Sequence, residues 1–257
     1  EKEGVVGRST IEGSSIPFPR PISFTSGNTP ISLSSIDFGT DHRIAIISKQ
    51  KRTYVIDLIT DSGISESIEL GSLSRGPDEI IGFDANQDEL MDVLLLTRDK
   101  PMKMLQATET GFEVLDGEEM GQYGLVREAT GENTSVLDID FDGKPELLIA
   151  TDNFIRAVRY EMAPEDGTSP GWQVVTQINL EDGGSNLISI AKSGNYILVA
   201  DEENERIVLI EKQDKSNQWE EADSLFVHGY NLGPIYTGDF TGDGIHDIIS
   251  IGDAGFA

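Results

Sequence analysis

The sequence predicts an all-β protein, a β-propeller of four-stranded blades with about five repeats visible. Three observations lead there. An acidic loop recurs along the chain and runs each time into a short aliphatic strand. The recurrence is close to every 50 residues, a period of repeat architectures. Between the loops, alternation and turn residues favour strands, and no long amphipathic helix is evident.

Aligned on the first loop position, the units begin at residues 37, 84, 138, 188 and 239. The clearest loop is Asp138-Ile139-Asp140-Phe141-Asp142-Gly143-Lys144-Pro145-Glu146, followed by Leu147-Leu148-Ile149. A second runs from Asp84 to Asp92 before Val93-Leu94-Leu95-Leu96, and a third from Asp239 to Asp247 before Ile248-Ile249. Two further copies are degenerate. The one at 37–45 keeps acids at positions 1 and 5 but has Ala45 at position 9; the one at 188–196 keeps only the frame. Whether these two bind metal is left open by the residues.

After each loop and its strand comes a polar turn and another strand: Thr53–Leu58, Lys103–Gln106, Arg156–Tyr160 and Arg206–Ile210. A third strand opens on Ile64, Phe112, Trp172 or Trp219, and a short one precedes the next loop, as in Asn133–Leu137 and Leu232–Thr237. Four short antiparallel strands per unit make a propeller blade, whose sheet needs neighbours to bury both faces. The repeated aromatics Phe112, Trp172 and Trp219 are expected to pack between blades, against the alternative of a carbohydrate-stacking ring. Residues 1–30, with Pro17, Pro19 and Pro21, read as a ring-closing edge strand or a linker. Residues 31–257 read as the blades, the last incomplete.

Composition sets limits. A net charge of −27 argues against nucleic acid, whose phosphates need Lys and Arg. It also disfavours docking on anionic lipid. Three divalent cations would neutralise only a small part of that charge, so a solvated acidic surface accounts for most of it. With no cysteine, disulfides, zinc–thiolate sites and thiol nucleophiles are excluded. No run approaches the roughly 18 apolar residues of a membrane span, so no transmembrane segment is expected.

The loops carry the chemistry. Oxygen donors at positions 1, 3, 5 and 9, a backbone carbonyl at 7 and Gly at 6 for the sharp turn suit Ca²⁺. The candidate ligands are Asp84, Asn86, Asp88, the Leu90 carbonyl and Asp92; Asp138, Asp140, Asp142, the Lys144 carbonyl and Glu146; and Asp239, Thr241, Asp243, the Ile245 carbonyl and Asp247. About three Ca²⁺ sites are therefore expected. Mg²⁺ tolerates irregular protein cages less well. A lone match means little in so acidic a chain, but three in register, each followed by aliphatics, point to metal. The competing reading is that these acids only cap turns. Strands rather than helices flank the loops, which disfavours an EF-hand.

The stretch Gly238-Asp239-Phe240-Thr241-Gly242-Asp243-Gly244-Ile245-His246-Asp247-Ile248-Ile249, and nearly as well Leu137 to Ile149, resembles the FG-GAP or VCBS-repeat propellers, the family of integrin α-subunit heads and many bacterial surface proteins. The likeness spans roughly residues 31–251. Glu89 departs from it, standing where the family prefers Gly. The family usually forms seven blades, which implies that five are part of a longer ring. The resemblance also implies an extracellular, cell-surface or periplasmic location.

No HExxH pair, GxSxG elbow, P-loop or GxGxxG is present, and His42, His228 and His246 form no recognisable triad. Asp/Glu pairs can meet in space, so a glycosidase-like pair stays open. The expected function is a non-enzymatic, calcium-stabilised module that binds a protein partner or scaffolds a larger assembly. The alternatives are a propeller-fold polysaccharide lyase or hydrolase, or a carbohydrate-binding lectin.

Overall fold

The computed structural model describes residues 4–6, 22–24, 29–38, 41–60, 63–71, 73, 75–97, 100–117, 120–162, 169–213, 218–252 and 255–256. Five antiparallel sheets follow one another along the chain in the manner of propeller blades. The first holds β3 (Thr29–Phe38), β4 (Asp41–Gln50), β5 (Thr53–Thr60) and β6 (Gly63–Gly71). The second holds β7 (Glu79–Phe83), β8 (Asp92–Leu96), β9 (Lys103–Thr108) and β10 (Gly111–Asp116). The third holds β11 (Thr134–Leu137), β12 (Glu146–Thr151), β13 (Phe154–Glu161) and β14 (Gly171–Asn179). The fourth holds β15 (Leu187–Ser193), β16 (Tyr196–Asp201), β17 (Arg206–Lys212) and β18 (Trp219–Phe226). The fifth has three strands among the described residues, β19 (Ile235–Gly238), β20 (Asp247–Gly252) and β21 (Gly255–Phe256). Near the start of the chain, β1 (Gly4–Val6) and β2 (Ile22–Phe24) pair with each other, and β2 lies against β6. Pro17, Pro19 and Pro21 lie outside the described residues.

Each sheet is a simple meander, and the second strand shows why successive sheets pack on one another. In β8 and β12 nearly every residue is buried, although strand side chains alternate between faces. Both faces must therefore be covered. Leu147 and Ile149 pack with Phe83, Leu94, Met104 and Trp172 between the second and third sheets. Leu148 and Ala150 point the other way and pack with Ile190, Ile197 and Val199 of the fourth sheet. Val93 and Leu95 likewise meet Ile47 and Ile56 of the first sheet, and Leu198 and Ala200 meet Ile235 of the fifth. First strands lie against one another, β3 on β7, β11 on β15 and β15 on β19, as inner strands of blades do.

The aromatics that open the outer strands serve this packing. Trp172 is fully buried between the second and third sheets, with Tyr160 edge-on at 5.4 Å between ring centroids. Phe112 packs against the cluster between the first and second sheets, and Trp219 against the one between the third and fourth. At this repeat position Trp172 is closed off, while Phe112 and Trp219 are partly buried.

The two degenerate loops are corrected. Phe38 pairs with Asp41 and Asp37 with His42, so the described residues of 37–45 belong to two long, directly paired strands. Ser193 pairs with Tyr196 across Gly194-Asn195, with Gly194 at φ 59°, so 188–196 is a hairpin with its turn at the end of the strand. β15 continues through position 188 with a register shift between Leu187 and Ser189, and no cation loop opens there. No helix among the described residues is long and apolar enough to cross a membrane; residues Tyr123–Leu125 form one 3-10 turn.

Candidate metal-binding loops

The three acidic loops occupy the same place in their sheets, between the first and second strands. They also share one backbone geometry. At position 1, both carboxylate oxygens accept backbone N–H groups from positions 5 and 6. Asp84 accepts from Asp88 (3.0 Å) and Glu89 (2.9 Å). Asp138 accepts from Asp142 (3.0 Å) and Gly143 (2.8 Å), and Asp239 from Asp243 (3.0 Å) and Gly244 (2.8 Å). At position 5, Asp88, Asp142 and Asp243 each accept the N–H of position 7, at 2.9, 2.8 and 2.8 Å. At position 9, Asp92, Glu146 and Asp247 each accept the N–H of position 2, at 3.0, 3.1 and 2.9 Å. Asn86 and Asp140 at position 3 accept the N–H of position 5, both at 3.2 Å. Thr241 instead donates its own N–H to Asp247 at 2.9 Å.

These bonds require left-handed backbone at positions 4 and 6: Gln87 (φ 60°) and Glu89 (φ 71°), Phe141 (64°) and Gly143 (91°), Gly242 (78°) and Gly244 (84°). Glu89 adopts the conformation that glycine holds in the other two loops, at a steric cost. Glu89→Gly is expected to raise stability by about 0.5–1 kcal/mol, read as a higher urea midpoint, after the extra chain entropy of glycine is subtracted.

Convergence differs among the loops. In the third sheet, carboxylate oxygens of Asp138, Asp140 and Glu146 lie within 4.8 Å of one another. Asp142 is not part of that group and holds the Lys144 N–H instead. Leu90 and Ile245 are exposed at position 7, as suits a residue contributing its backbone. The second and third loops also touch. Gln87 donates its amide to Glu146 Oε1 at 3.3 Å, and the Lys144 ammonium reaches the Gln87 carbonyl at 3.5 Å. Trp219 of the fourth sheet donates its indole N–H to the Ile139 carbonyl at 3.0 Å and stacks on Phe141, over which Lys212 places its ammonium at 4.4 Å. Neither Gln87 nor Trp219 carries a local signal for these contacts.

Charge crowds the position-9 carboxylates, which are fully buried in Asp92 and Glu146. Burial, followed by the charges of Asp140, Asp142 and Asp138, pushes Glu146 up to about 7 against the opposing Ile139 N–H. Burial first, with Asp88 and Asp84 adding to it, pushes Asp92 up to about 6 although Ala107 and Ala85 N–H groups oppose it. Burial raises Asp84 as well. In the exposed fifth-sheet loop the Gly244 N–H is the largest influence and holds Asp239 below its usual value.

Donor chemistry fits a hard cation: every donor is oxygen, most are anionic, and the buried ones resist ionisation without a positive partner. When bound there, Ca²⁺ would order the loops and neutralise the cluster. The sign for the metal-free protein follows. Folded Glu146 and Asp92 hold protons that the unfolded chain has already released, so their contribution falls as pH rises from the ordinary carboxylate range to about 7. In chelator, the urea midpoint should drop between pH 5 and 7.5, and Glu146→Gln should flatten that slope. An unchanged slope in the variant would remove Glu146 as its source.

No family model matches the chain, and no curated protein sequence does. Solved structures do resemble it. BBS1N in complex with ARL6DN aligns over 93% of this chain and 67% of that one, at 9% identity and a TM-score of 0.52. A protein from Lactobacillus plantarum aligns over 91% and 71%, at 11% identity and 0.46. A functionally unknown protein from Desulfotomaculum acetoxidans aligns over 89% and 68%, at 13% and 0.44. Likeness at such identities concerns the fold alone.

Proposed function

We propose that this chain is a calcium-stabilised β-propeller of the FG-GAP or VCBS kind, a non-enzymatic module that binds a protein partner or scaffolds an assembly outside the cytoplasm. The observation that carries the reading is the shared geometry of the three loops: the same hydrogen bonds, the same two left-handed positions and the same place in the sheet, each with a carboxylate at positions 1, 5 and 9. Turn capping alone would not need buried carboxylates pressed against further acids. The metal's role is structural, holding loops and so the edges between blades. BBS1N, which shares the fold, is seen in complex with ARL6DN, so the fold itself is compatible with a protein partner. Against a lectin reading, Trp172 is buried and Trp219 is partly buried. Native mass spectrometry of the calcium-loaded protein tests both halves of the proposal. It should show up to three bound ions, with fewer in loop variants, and a co-purifying subunit when the protein is taken from its source. A metal-free spectrum at millimolar calcium would refute the metal half.

A further inference from the structure

The link from β10 to β11 spans 117–133, whereas the links after β14 and β18 span only 180–186 and 227–234. A link of this length is uncommon within a compact domain. Its described residues are well anchored. Met120 and Val126 are buried in the core between the second and third sheets, and Gly121 bridges to Gly171. Asn133 Oδ1 accepts the Thr130 N–H at 2.7 Å, and the Asn133 amide donates to the Glu128 carbonyl at 3.0 Å.

The excursion walls a crevice of about 730 Å³ against Leu96, Thr97 and Pro101 of the second sheet, a volume in the range of small-molecule sites. It lies at the end of the inner strands opposite the acidic loops, because Glu79 begins β7 and Asp84 follows its end. Glu79 is built into this crevice. A Cβ at position 131 would stand 1.3 Å from Glu79 Oε2 and 2.1 Å from its Cδ, so Gly131 supplies the space that the carboxylate fills. Burial raises the Glu79 carboxyl pKa, and the charge of Glu132 raises it further. Of the other charges on the lining, Asp78 pairs with Arg75 at 2.8 Å and Arg127 with Glu128 at 3.5 Å, while Lys100 has no salt bridge among the described residues; the four carboxylates Asp78, Glu79, Glu128 and Glu132 still outnumber the two cations Lys100 and Arg127. Among the described residues, no cation forms a salt bridge with Glu79 or Glu132.

We propose that this crevice binds an organic cation, an alkylammonium or guanidinium group on a short apolar stem, with Glu79 as its ionic partner, Glu132 reinforcing the field, and Leu96, Pro101 and Ala129 against the stem. The same chemistry is offered by a free polyamine and by a Lys or Arg side chain of a partner. The site is separate from the acidic loops and stands whether or not those loops hold metal.

Isothermal titration of the full chain with spermidine and with pentalysine, in 150 mM salt and saturating calcium, tests it. One saturable site is expected. It should weaken about tenfold in Glu79→Gln, the loss expected of one charge-assisted contact. Gly131→Ala should weaken it similarly by displacing the carboxylate. A Glu109→Gln, Glu203→Gln double variant, which removes two exposed acids elsewhere, should bind as the parent does. Competition between the two probes assigns the site to the amine chemistry in general; binding of pentalysine alone assigns it to a partner's side chain. Absence of saturable binding, or an equal loss in the double variant, overturns the proposal.

Discussion

Adding 10 mM Ca²⁺ to chelator-treated protein should raise its melting temperature by on the order of 10 °C or more. Loops of this kind in extracellular modules bind at roughly 0.1–1 mM. Mass action then gives about 1.4–2.7 kcal/mol per site, and about 4–8 kcal/mol for three independent sites. A domain of this size shifts by roughly 2–4 °C per kcal/mol. The gain should be larger than with Mg²⁺, and larger than with NaCl at matched ionic strength, because an acidic surface is stabilised by any screening salt. Asp140→Ala is the informative variant. Asp140 belongs to the converging carboxylates but accepts only one 3.2 Å hydrogen bond, so the change should remove about a third of the calcium response while barely altering the chelated protein. A melting temperature indifferent to both EDTA and calcium would end the metal reading, and the loops would then be turns capped by their own carboxylates.

Those loops were legible because their pattern is local. Nine consecutive residues supply both the donors and the backbone turn, and the strands after them are too apolar to be anything but covered on both faces. The same locality explains the failures. At 37–45 and 188–196 the period placed a loop where strand alternation continues, and the Gly194-Asn195 turn fits a two-residue hairpin better than a cation site. Convergence within a loop was less legible, since the sequence assigned Asp142 a ligand role equal to that of Asp140, and only Asp140 faces Asp138 and Glu146. Contacts between blades were out of reach. Trp219 meets the Ile139 carbonyl across 80 residues of chain. The excursion at 117–133 did leave a trace: the separation between units at 84 and 138 is the longest of the series, and surplus residues in a repeat mark an insertion.

The fourth sheet lacks an acidic loop and is held instead by an ionic cluster that gave no motif. Asp201, at the end of β16, is fully buried. Its Oδ2 accepts from Ser185 Oγ (2.8 Å), Asn204 Nδ2 (2.9 Å) and Arg206 Nε (3.0 Å), and its Oδ1 from the Asn186 N–H (3.1 Å). Arg206 extends to Glu221 at 3.4 Å, and Glu221 accepts the Glu181 N–H at 2.8 Å. One carboxylate thus ties the turn before β15, the β16–β17 turn and the outer strand β18. Burial alone would raise its pKa, but the hydrogen bonds from Asn204, Ser185, Asn186 and Arg206 outweigh burial and hold it below the usual value. The stability it confers is therefore present above the ordinary carboxylate range and lost as pH falls through its lowered folded value. Asp201→Ala should cost about 3–5 kcal/mol, because it strands a largely buried guanidinium together with several donors. Replacing both members, as in Asp201→Leu with Arg206→Met, should cost less than Asp201→Ala alone, since no uncompensated charge is left behind. Urea denaturation of the single and double variants decides the matter. A double variant that loses as much as Asp201→Ala or more, or a single-variant loss below about 1 kcal/mol, would show that β16, β17 and β18 are held by their aliphatic packing and that the ionic cluster contributes nothing beyond it.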